Sequence, residues 1–92
     1  MNRCMRIMCM VEDGKDGIHT FVQQYAQKFL LEGLIQPINA TQVRVIVCGP
    51  RESIEAFIDA LHHGVVEKMI RGIEMEPMFK DRDYRGVFRV IE

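Results

Sequence analysis

The chain opens on a two-residue alternation. In residues 3–11, RCMRIMCMV, the set Met5, Ile7, Cys9 and Val11 alternates with Cys4, Arg6, Met8 and Met10. That period predicts a strand, and Arg6 marks the second set as the outer face. Both sets are largely apolar, which suits a strand inside a sheet. Residues 18–31 change to helical spacing. Phe21, Val22, Tyr25, Ala26, Phe29 and Leu30 make one stripe, with Gln23, Gln24, Gln27 and Lys28 on the wet side. Gly33 is the expected stop. A short strand follows at 34–37, LIQP, which Pro37 ends or holds at a sheet edge. INATQ, 38–42, reads as a turn. Residues 43–48 are a strand with Val43, Val45 and Val47 on one face, broken by Gly49-Pro50. A second helix over 51–63 puts Ile54, Phe57, Ile58 and Leu61 together, and Gly64 is its expected C-cap. A looser strand spans 66–76, with Met69, Ile73 and Met75 on one parity. The stretch EPMFKDRDYRG reads as a polar loop, and a last strand occupies 87–91.

Two strand–helix–strand units joined by a hairpin predict an α+β fold, the ferredoxin-like sandwich: βαββαβ plus a short C-terminal strand. Right-handed crossovers place both helices on one face of the sheet, so each helix needs only one apolar stripe. The 92 residues fit a single domain spanning 1–92.

Composition narrows the function classes. The chain is 48% apolar and 27% charged, with a net charge of −1. No basic excess points to nucleic acid. No apolar run approaches the roughly 20 residues that cross a bilayer. MNRCMRIMCM is interrupted by arginine and does not read as a signal peptide, so a cytoplasmic location is expected. Cys4, Cys9 and Cys48 are then expected as free, buried or half-buried thiols, and the odd offset of Cys4 and Cys9 puts them on opposite strand faces. Arg6, Arg44 and Arg89 fall on strands and would make a basic patch if they share the open face. The first and third strands lack the aromatic residues on which RNA bases stack. His62 and His63 are adjacent on a helix and point about 100° apart, a poor metal pair. No metal, cofactor, nucleic acid or membrane is expected, and the sequence names no protein partner.

The chemistry-bearing stretch is VEDGKDGIHTF, 11–21. A glycine loop between a strand and a helix offers backbone N–H groups to a phosphate. Four further segments extend the pattern: AQKFLLEGLIQP (26–37), VRVIVCGP (43–50), FIDALHHG (57–64) and GVFRVIE (86–92). In order and spacing they resemble the A-x-K-L-x-L-x-G-W-V-x-N, V-E-V-x-x-x-G-P, F-x-x-x-L-x-x-G and closing G-F-x-I segments of acylphosphatases. The resemblance covers nearly the whole chain. It implies a phosphate cradle at Gly14, Lys15, Asp16, Gly17, Ile18 and His19. In that family an arginine ends the loop motif V-Q-G-V-x-F-R and clamps the phosphate, and an asparagine orients the attacking water.

Here the resemblance places His19 at the arginine position and Pro37 at the asparagine position. A guanidinium is a permanent, bidentate cation, whereas an imidazole offers one or two donors. Proline has no side-chain donor and no N–H. Asp13 and Asp16 add negative charge beside the cradle. Hydrolysis of acyl phosphates is therefore expected to be absent or very weak, and the chain to act as a pseudoenzyme: a small anion-binding or interaction module for phosphate or another small anion. The alternative is an active acylphosphatase with an altered site that uses His19 with Lys15 or Asn39. Asn39 lies two residues beyond Pro37, on the same strand parity.

Overall fold

Long alternating segments pair into a sheet before anything else can be placed. The structure, a computed structural model, describes residues 2–12, 17–66, 70–79 and 84–91. Along the chain they form β1 (Asn2–Met10), α1 (Gly17–Lys28), β2 (Glu32–Asn39), β3 (Gln42–Pro50), α2 (Arg51–Val66), β4 (Gly72–Met78) and β5 (Phe88–Val90). The strand order is β4-β1-β3-β2-β5. Four strands pair antiparallel, and β5 adds parallel to β2. α1 lies over β2 and β5, and α2 over β1 and β3. This is the ferredoxin-like sandwich that the order of elements predicts.

The expected core face of β1 is the one that meets the helices. Ile7, Cys9, Ile35, Val45 and Val47 are fully buried there, against Ile18, Val22 and Ala26 of α1 and Phe57 and Leu61 of α2. The opposite face is not bare. Cys4, Leu34, Ile46 and Cys48 form a second apolar cluster with Tyr84, from the segment that crosses between β4 and β5. Register also puts Arg6, Arg44 and Arg89 on that outer face. Arg6 is ion-paired to Glu76 of the neighbouring β4, which cancels part of the expected patch.

The cysteines depart from expectation. Cys4 and Cys48 form a disulfide, and only Cys9 is a free thiol among the described residues. The cause is register: β1 and β3 place the two residues directly opposite each other, with Cα atoms 4.1 Å apart. That proximity arises from pairing strands 44 residues apart, which spacing along the chain does not reveal. Disulfides persist best in oxidising compartments, so the bond and the expected cytoplasmic location pull in opposite directions. Cys9 is shut in the core, and burial pushes its thiol pKa up to about 12. It stays protonated in the fold; above pH 9 the unfolded chain ionises first, so this thiol makes stability fall with rising alkalinity.

Helix ends also differ. α1 stops at Lys28, and the stop is Leu30 rather than Gly33. Leu30 takes a left-handed φ of 58°. Its N–H donates to the Gln27 carbonyl and that of Leu31 to Ala26, closing a Schellman motif. Gly33 instead sits inside β2, where its φ is 143° and a Cβ would stand 1.8 Å from the Ile46 carbonyl oxygen. α2 runs through Gly64 to Val66, so the expected C-cap is an interior residue and the strand expected from 66 begins at Gly72. Its far end reaches Met78, taking in the Pro77 that reads as loop. β2 likewise continues through Pro37. β5 pairs only with Gly33–Ile35, so beyond Ile35 the outer side of β2 asks for no N–H, and proline fits.

Two results follow for stability. Leu30 is 88% exposed, so Leu30→Gly loses no burial and relieves a strained backbone; urea unfolding should show about 1 kcal/mol of added stability. Gly33→Ala in the same assay should abolish the cooperative transition. For the thiols, unreduced protein should show no reaction with Ellman's reagent in buffer and one thiol per chain in concentrated guanidinium, that of Cys9. Reaction of all three cysteines without a reductant contradicts the Cys4–Cys48 bond.

Candidate functional site

The end of β1 is held on both sides. The Val11 N–H donates to the Thr41 carbonyl at 2.8 Å, and the Arg71 N–H to the Met10 carbonyl at 2.6 Å. The β2–β3 turn and the entry to β4 therefore grip the point from which the chain leaves for α1. Asp13, Gly14, Lys15 and Asp16, the first part of the expected cradle, lie outside the described residues.

α1 resumes the site at Gly17. Ile18 is fully buried in the core, which fixes how the first turn sits on the sheet. Gly17 is left exposed and His19 half-buried at the margin. The first N–H groups of a helix have no partner within it. This first turn carries no acidic side chain, whereas that of α2 carries Glu52. Its partial positive charge is thus not met from within α1, and it suits an anion.

Pro37 comes to the same end of the sheet. It pairs with Val43, one step from the last pair of the β2–β3 ladder. Its parity is that of Gly33 and Ile35, the side on which α1 lies. Pro37 thus lies near the hairpin end of β2, and Gly17, Ile18 and His19 form the first turn of α1.

Asn39 is placed differently from its expected parity. The register shifts between Pro37 and Asn39, so the two residues no longer alternate regularly. The Asn39 side chain closes the hairpin. Its Oδ1 accepts from the Thr41 N–H at 2.9 Å and from the Thr41 hydroxyl at 3.2 Å, and its Nδ2 donates to Gln42 Oε1 at 2.8 Å. This Asx turn holds Thr41, whose carbonyl in turn grips Val11. The contacts of Asn39 are those of a turn former rather than of a substitute donor. Asn just before a two-residue hairpin loop, at position i of the β-turn, is the signal that points to this role. Among the described residues no three His, Cys, Asp or Glu side chains converge as a metal site, and no helix is long and apolar enough to cross a membrane.

The family model described as acylphosphatase matches residues 16–90. An acylphosphatase of Bacillus velezensis is 27% identical over 79 residues, covering 83% of this chain and 88% of that protein. The crystal structure of acylphosphatase from Bacillus subtilis superposes with a TM-score of 0.84 at 21% identity, covering all of both chains. An acylphosphatase from Coxiella burnetii gives 0.83, also at 21% identity, over 98% of this chain and 93% of that one.

A turn role for Asn39 has a measurable consequence. Asn39→Ala should lower unfolding stability by about 1 kcal/mol, the value of a partly exposed hydrogen-bond set. The loss is read by urea denaturation. An unchanged midpoint contradicts the role.

Proposed function

Because the chain belongs to the acylphosphatase family, we propose that it keeps the family's anion cradle while lacking most of its hydrolytic power. It acts as a small anion-binding or interaction module, with phosphate or a related anion held at the start of α1. What supports this proposal is that His19 and Pro37 stand at the positions where the family resemblance calls for arginine and asparagine.

The physical argument separates binding from turnover. Binding a phosphate group needs positive potential and N–H donors. The first turn of α1 offers both from its backbone, against the negative charge that Asp13 and Asp16 add nearby. Hydrolysis needs more. Water must be aimed at the phosphorus, and the charge that builds on the phosphoryl oxygens must be met by fixed donors. Pro37 cannot hold a water through an amide, because it has neither a side-chain donor nor an N–H. His19 replaces a permanent bidentate fork with a ring that has at most two N–H groups. Each lost preorganised donor costs on the order of 3–4 kcal/mol in the transition state. Two such losses remove about five powers of ten from a rate.

Restoring the pair is the test. With benzoyl phosphate as substrate, His19→Arg/Pro37→Asn should hydrolyse at least about 100-fold faster than the unaltered chain, and each single variant far less than the pair. A double variant no faster than the parent overturns the proposal. The binding half is tested separately by titrating inorganic phosphate into the unaltered protein and following backbone amides by NMR. Saturable shifts at 17–19 support an anion site, and their absence removes it.

A further inference from the structure

At the opposite end of the sheet from the α1 N-terminus lies a groove of about 510 Å³. The first residues of β1, the first two turns of α2 and the end of β4 enclose it. Its size is that of small-molecule sites. Met5, Ile54, Ile58, Pro77 and Met78 make apolar walls, and Phe79 stands at the mouth. Phe79 is 96% exposed, and an aromatic ring left in water beside an apolar groove marks a surface suited to cover.

The charges of the groove are uneven. Arg3 and Arg51 line it, with Glu55 as its one carboxylate among the described residues. Arg51 and Glu55 satisfy each other along α2, at 2.8 Å. That leaves the Arg3 guanidinium without a matching carboxylate in the lining. Arg3 shares the parity of Met5 and Ile7, so it belongs to the helix-bearing side of the sheet, opposite Gly49 and close to the start of α2. The N-terminal end of α2 adds positive potential, which Glu52 in its first turn offsets in part. A cation at one end and an apolar trough along the rest is complementary to one ligand shape: an anionic head on an apolar tail.

We propose that this groove binds a small amphipathic monoanion of the medium-chain carboxylate type. The carboxylate pairs with Arg3, and the aliphatic tail lies along Met5, Ile58 and Phe79. No covalent step is involved. The groove is separate from the anion site at residues 17–19, and neither depends on the other.

Octanoate, below its micelle-forming concentration, is the probe. Titrated into the full chain, it should give saturable NMR shifts at the amides of 3–5, 54–58 and 78–79. Arg3 is exposed, so Arg3→Gln should fold normally and weaken octanoate by about two- to fivefold, the scale of one exposed charge pair. 1-Octanol, with the same tail and no charge, should bind weaker than octanoate by a similar factor. Three results overturn the proposal. One is the absence of saturable shifts, or shifts confined to 17–19. Another is octanol binding as tightly as octanoate with no effect of Arg3→Gln. The third is concentration-dependent shifts at the groove amides in protein alone, unaltered by octanoate, which assigns the surface to a second copy of the chain.

Discussion

The antiparallel register of β1 on β3, running from Asn2 opposite Pro50 to Met10 opposite Gln42, is the constraint on which the rest depends. It sets Ile7 and Cys9 beside Val45 and Val43 under the helices, and so fixes the core. It sets Cys4 against Cys48 on the other face, and so permits the disulfide. It also brings the end of β1 level with the β2–β3 turn, where Thr41 takes the Val11 N–H. A slip of one residue would turn every side chain of β1 over and move the loop exit away from the turn. The geometry of the candidate site is thus a consequence of sheet register, not of the residues at the site.

That division explains how a site of this kind can lose activity without losing shape. The surroundings of the candidate site are made by Ile18 in the core, the Asn39 turn and the β1–β3 ladder, all of which serve stability. The groups that would act on a substrate are a few side chains at the margin, His19 half-buried and Pro37 exposed. Substituting them leaves the fold intact, because neither carries core packing. On the proposed reading, anion binding through the backbone would survive such changes, whereas water activation, which rests on one well-aimed amide, would not.

Much of the fold was legible in the residues. The alternation at 3–11 and 43–48 and the stripes at Phe21–Phe29 and Ile54–Leu61 report burial, because burial is what imposes the period; Leu30, expected in the first stripe, instead leaves the helix and is exposed. Three features were not legible, each for a physical reason. The Cys4–Cys48 bond depends on a long-range register that no local pattern encodes. The stop of α1 at Leu30 runs against the usual glycine preference; the Schellman bonds and the burial of Leu31 outweigh the strain of one left-handed leucine. The parity that linked Asn39 to Pro37 failed at an irregularity in the ladder, which a strict two-residue period cannot foresee. At the site, the resemblance assigns His19 and Pro37 to the family's arginine and asparagine positions; in the fold His19 lies in the first turn of α1 and Pro37 near the hairpin end of β2. The groove at the other end has no motif, because Arg3, Ile58 and Phe79 meet only through the fold.

The most direct measurement is the rate at which the purified, unaltered chain hydrolyses benzoyl phosphate, compared with buffer and with His19→Ala. A cradle without its clamp predicts a rate indistinguishable from buffer, or so slight that His19→Ala leaves it unchanged. Clear turnover that disappears in His19→Ala would contradict the account and show that this histidine does the work of the missing arginine.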